Sequence, residues 1–109
     1  MIHPTTSFSD NLQLMPSIEG LARIELVTAA GAVVATVDNL PGKQGSLKVY
    51  QYLEQTFGIL NAAAAEHGLA VFAEHTQDAK NRPGAHPNID RLFDIIEDGD
   101  LLHLRIVAA

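Results

Sequence analysis

Eight ionisable side chains and the amide of Asn88 fall between Ala73 and Leu92: Glu74, His75, Asp78, Lys80, Arg82, His86, Asn88, Asp90 and Arg91. They surround a Pro83-Gly84 turn and lie between two apolar segments. Imidazole nitrogens from His75 and His86, joined by the Asp78 carboxylate, are donors that suit zinc, iron, manganese or nickel. The same imidazoles beside Glu74 or Asp90 are the ingredients of acid–base chemistry, since histidine titrates near neutrality. Glu74, His75, His86 and Asp90 are therefore the candidate catalytic groups, and His75, His86 and Asp78 the candidate metal ligands. The spacing weighs against both readings. His75 and His86 are eleven residues apart, and no short-range pair such as H-x-x-x-H accompanies them. A plainer reading makes His86 a helix cap before Pro87, and Asp90 and Arg91 ordinary first-turn charges.

A second candidate is Pro41-Gly42-Lys43-Gln44-Gly45-Ser46. A lysine flanked by glycines and running into a helix start brings free N–H groups, a positive helix end and one ammonium together. Those are the parts of an anion site. The order of a Walker A loop is missing. Gly42, Lys43, Gly45 and Ser46, with Asn88 and Arg91 from the first segment, make up the candidate ligand-binding set for a small anion. The plainer reading is a strand-to-helix connector with Ser46 as its cap.

Composition removes several classes. There is no cysteine, so disulfides, thiolate nucleophiles and Cys-based zinc or iron–sulfur sites are excluded. No serine stands in a nucleophile elbow. The net charge of −6 gives no basic footprint for nucleic acid and no attraction to an anionic membrane. No apolar run approaches the ~20 residues that span a bilayer, and the first residues lack the marks of a signal peptide. A cytoplasmic protein is expected. With 109 residues and 47% hydrophobic content, one domain with one core is expected.

The elements that must position these residues can be read from periodicity. Ser9 can cap a short helix over Asp10–Met15, stopped by Pro16. Leu21–Thr28 and Ala32–Val37 alternate as strands about an Ala29-Ala30-Gly31 turn, giving an antiparallel hairpin. Leu47, Tyr50, Leu53 and Phe57 form a helical stripe, with Gly58 at its end. Tyr50 and Tyr52 face different ways, so one is expected in the core and the other on the surface or at an interface. Asn61 caps an alanine-rich helix, Ala62–His67, closed by Gly68, with His67 a partial cation at its C-terminus. Leu69–Ala73 fits a short buried strand slightly better than a helical face formed with Thr76 and Ala79. As a strand it would send Glu74 and His75 to opposite faces. A dyad then needs His75 with Asp90, or His86 with Glu74. Ile89, Leu92, Phe93 and Ile96 mark a helix from Pro87 to Gly99, and Leu102, Leu104 and Ile106 a final strand. The expected fold is α+β: a small, mainly antiparallel sheet of three or four strands, with about three helices on one face. Arg23, Glu25, His103 and Arg105 fall on the other face as a solvated charge set.

The segments PGKQGSLKVYQYL and GLAVFAEHTQDAKNRPGAHPNIDRL, with EHT and HPNID the most specific, resemble a small family of uncharacterised, mostly proteobacterial proteins known as a domain of unknown function. The resemblance runs from about Phe8 to Val107. It implies a bacterial, cytoplasmic, single-domain protein and brings no activity or site residue with it.

The leading expectation is a small binding module for a partner protein or a small anionic ligand. A metal-dependent or His/carboxylate acid–base enzyme built on 73–92 is the alternative, with a transition metal as its possible cofactor. A homodimer, through the alanine-rich helix and a tyrosine, or a subunit of a larger assembly forms the third class.

Overall fold

Helices outnumber the expected three. A computed structural model gives the fold of residues 1–109 as α1 (Phe8–Gln13), β1 (Leu21–Val27), β2 (Val33–Asp38), α2 (Gln44–Phe57), α3 (Ala62–Phe72), α4 (Glu74–Asn81), α5 (Pro87–Asp98) and β3 (His103–Ala108). The sheet has three antiparallel strands in the order β2-β1-β3. Ile24 and Leu26 of the central strand are fully buried, as the alternation requires. On the opposite face Glu25 accepts from both Arg23 and Arg105, its cross-strand partner. These guanidinium groups, Arg105 first, hold its carboxyl below the usual range. His103 lies opposite Val27 in the register and takes no part in the set.

α2 is the helix that covers the sheet, touching all three strands, while α3 packs on α2 and α5 in a further layer. The helices thus stack in depth rather than lying side by side on one face. Leu47, Val49, Tyr50 and Leu53 of α2 are fully buried because that helix is packed on both sides. Tyr52 is also buried, so neither tyrosine is a surface residue. Ala64 and Ala65 are spent in the same core, which leaves Ala62 and Ala63 exposed.

Two caps differ from their expected positions. Ser7, not Ser9, accepts from the Asp10 N–H and starts α1. α2 begins at Gln44 with Lys43 at the cap, so Ser46 sits inside the first turn. Early entry is favoured because the Gln44 amide reaches back to Asn39 Oδ1. Gly45 lies close to Phe8 there: a Cβ would stand 3.2 Å from the ring, which would have to shift by a few tenths of an ångström.

The largest departure concerns 68–73. Gly68 does not end a helix, and Leu69–Ala73 is not a strand; α3 runs unbroken to Phe72. Gly68 is where α3 crosses its neighbours, since a Cβ would fall 2.9 Å from Leu92 Cδ1 and 3.0 Å from Leu53 Cδ1. The break comes at Ala73, with φ 53 and ψ −119, a region L-residues rarely adopt. The kink frees carbonyls at the end of α3, and side chains satisfy them. Thr76 Oγ1 donates to Leu69 C=O at 2.6 Å, and Asn11 Nδ2 to Val71 C=O at 2.9 Å. Ala73→Gly is expected to raise stability by about 1 kcal/mol, because relief of ~1–3 kcal/mol of strain exceeds the added unfolded-state entropy. Denaturant unfolding reads this directly, and an unchanged midpoint would mean the kink carries no strain.

His67 lies inside α3 rather than at its end. The Ile2 N–H donates to Tyr52 Oη at 3.0 Å, and Tyr52 Oη lies 2.7 Å from His67 Nε2. With the hydroxyl proton directed to the ring, His67 is neutral. Burial, then the N-terminal ammonium, push its pKa below the ordinary value. The unfolded chain takes up this proton near pH 6.5 and the folded chain only at lower pH. Stability from this group is therefore complete above about pH 6.5 and is lost as pH falls through the folded pKa. Between pH 7.5 and pH 5 the wild type is expected to lose more thermal stability than His67→Gln. Parallel pH profiles for the two proteins would contradict the assignment.

Candidate functional site

The two segments singled out in the sequence face one another across a single cavity of about 510 Å³. One wall comes from the β2–α2 connection and the start of α2: Gly42, Lys43, Gly45 and Ser46, with Thr36 and Val37 beside them. The other comes from α4, the turn after it and the start of α5: His75, Ala85, His86, Pro87, Asn88, Ile89 and Arg91. Phe8 and Phe72 close the base. No aspartate or glutamate lines the cavity, although the chain carries 13 of them.

The kink at Ala73 turns α4 so that His75 meets Phe8 edge-on, with ring centres 5.1 Å apart. Phe8 in turn stacks on Phe72 at 5.3 Å. The His75 and His86 rings approach to 5.7 Å, so the Pro83-Gly84 turn folds the chain back far enough to bring them together. The partners of those rings differ from expectation. Glu74 accepts from the Phe8 N–H at 2.7 Å and caps α1. Asp90 accepts from the Gly84 N–H at 3.0 Å and fastens the turn. Neither carboxylate reaches an imidazole, so the His75–Asp90 and His86–Glu74 pairs do not form. Asp78 fills that role, with its Oδ2 2.6 Å from His86 Nε2. Arg82, one helical turn on, grips the same carboxylate with two donors. Arg82 first, then His86, hold the Asp78 carboxyl well below the usual carboxylate range. No group of three or more His, Asp or Glu side chains is arranged to hold a metal ion.

The charged lining comes from Arg91 and Lys43. Of the four arginines, Arg23 and Arg105 bind Glu25 and Arg82 binds Asp78, while Arg91 has no carboxylate partner. Its Nη1 donates to Asn88 Oδ1 at 2.9 Å and to Tyr50 Oη at 3.2 Å. Tyr50 donates its own proton to the Asn88 carbonyl. Burial pushes the Tyr50 hydroxyl pKa up to about 12, so it stays a neutral donor and holds the guanidinium in place. Nε and Nη2 of Arg91 make no bond and remain available. Lys43 takes part in none of the four ion pairs. At the start of α2 the N–H groups of Gln44, Gly45 and Ser46 donate to no carbonyl; at the start of α5 the same holds for Asn88.

All the candidate ligand-binding residues thus share one cavity, as do both histidines, while Glu74 and Asp90 serve local structure. Phe8, Phe72 and Tyr50 were not singled out as site residues. Their apolar spacing marks them only as core, and nothing local shows that Tyr50, 41 residues from Arg91, would position its guanidinium.

An α+β domain with a cation-lined, carboxylate-free cleft is the class that fold and site define. The chain belongs to the family described as "Uncharacterized protein conserved in bacteria (DUF2322)", whose model matches residues 8–106. No curated protein and no solved structure matches it.

Proposed function

We propose that the protein is a bacterial binding module for a small organic anion, held in the cleft between α2 and α5. The observation that carries this reading is Arg91: one face of its guanidinium is fixed by Asn88 and Tyr50, and its other donors are left unspent in a cavity without a carboxylate. An arginine fork held in advance loses little freedom when it meets a phosphate or carboxylate. Lys43 and the two helix starts add positive potential on the same side. The volume of about 510 Å³ suits a small molecule rather than a bare ion. A net charge of −6 sets this local field against an acidic surface, which disfavours nucleic acid and anionic membranes as partners and fits a ligand small enough to enter the cleft. No helix is long and apolar enough to cross a membrane.

Calorimetric titration with inorganic phosphate, small phosphomonoesters and small carboxylates tests this. Saturable binding that weakens as salt is raised is expected. Heats no larger than those of a neutral polyol of the same size would remove the reading.

A further inference from the structure

The histidine pair is not needed to hold an anion, and its surroundings suit a further chemistry. Asp78 lies 2.6 Å from His86 Nε2 and is clamped by Arg82. An ionised carboxylate only accepts, so Nε2 must carry the ring proton. The lone pair of neutral His86 is then on Nδ1, which makes no hydrogen bond. The group is thus oriented at one nitrogen, free at the other, and set in the wall of the cavity that holds Arg91 and Lys43. His75, its ring centre 5.7 Å away, makes no hydrogen bond through either nitrogen and leaves the space beside His86 without a competing charge partner.

We propose that His86 is a phosphoryl acceptor, phosphorylated on Nδ1 by a donor of the phosphoramidate class; this rests on the anion reading of the cleft. The Nδ1 lone pair forms the new N–P bond while the P–N bond of the donor breaks. The leaving nitrogen keeps that electron pair and departs as a neutral amine, already carrying its protons. The ring becomes a cation that keeps its Nε2 proton, and the Asp78 carboxylate beside it offsets the charge. The phosphoryl oxygens are met by the unused donors of Arg91 and by Lys43, which stabilise charge as it is redistributed. Asp78 is a positioning residue: it fixes the tautomer and touches no phosphoryl oxygen.

The test is incubation of the full chain with phosphoramidate, followed by mass spectrometry and ³¹P NMR. One acid-labile phosphoryl group on His86 is expected, forming at least about tenfold faster than on exposed His103. Arg91→Met and Asp78→Asn are each expected to slow labelling about tenfold. Asp78→Asn should also shift the His86 ring ¹⁵N signals away from the Nε2–H tautomer, which a merely structural role would not do. Equal labelling of His3, His86 and His103, or full-speed labelling of Asp78→Asn, would overturn the proposal. Equilibrium dialysis with inorganic phosphate separates the two readings. If phosphate binds but His86 is not preferred, the phosphoryl-acceptor role alone falls. If phosphate does not bind at all, the anion reading falls and this proposal with it.

Discussion

Arg91→Met is expected to weaken anion binding about a hundredfold while the fold survives. A hydrogen bond to a charged group contributes roughly 1.5–3 kcal/mol, and Arg91 brings more than one free donor to the cleft. Methionine keeps most of the apolar stem, so packing along α5 is retained. Tyr50 still donates to the Asn88 carbonyl without the guanidinium, so no buried hydroxyl is orphaned. Calorimetric titration against the tightest anion, with thermal unfolding of the same samples, measures both effects. Unchanged affinity would show that the Arg91 fork is structural. Arg91→Lys is expected to recover only part of the loss, because an ammonium restores the charge but not the planar fork.

Asn11→Leu is expected to destabilise the protein by about 3 kcal/mol, lowering the melting temperature by roughly 15 °C. Asn11 is fully buried and every polar atom of its side chain is used. Its Oδ1 accepts from Thr5 N–H at 2.8 Å and Thr5 Oγ1 at 2.9 Å, and its Nδ2 donates to the carbonyls of Thr5 and Val71. Leucine matches the volume but strands the Val71 carbonyl at the α3–α4 kink, and leaves the Thr5 amide without its partner. The damage should spread to the cleft, because α1 carries Phe8 and Phe8 supports His75. Circular dichroism melts provide the measurement, and a loss below about 3 °C would mean that water replaces the amide at no cost.

The hairpin, α2, α5 and the final strand were legible because each rests on local periodicity. Gly58 and Gly99 adopt the left-handed conformation at their helix ends, as expected. Gly68 misled for a physical reason. A glycine that ends a helix and one that lets two helices approach look alike in sequence, and only the positions of Leu53 and Leu92 separate them. The strand expected at Leu69–Ala73 followed from that misreading. Its apolar residues belong to a helical face, whose continuation after Ala73 is bent rather than absent.

The site was legible as a set of residues but not as a set of pairs. His75, His86, Asn88, Arg91 and the Gly42–Ser46 turn line one cavity, and their convergence on it could not be read from either segment alone. In the sequence Glu74 and Asp90 stand out only by their acid groups. Their use as an α1 cap and a turn clasp depends on the Phe8 and Gly84 amides meeting them. Asp78 emerges as the His86 partner because α4 is a helix, and the turn from Arg82 to His86 brings that ring back over it.

The most direct measurement is a titration with inorganic phosphate followed by ¹H–¹⁵N NMR. The account predicts saturable shifts confined to the Gln44, Gly45, Ser46 and Asn88 amides and the Arg91 Nε–H, all fitting one dissociation constant and all absent in Arg91→Met. Shifts that fail to saturate, or that fall on Lys48 and Lys80 instead, would contradict it.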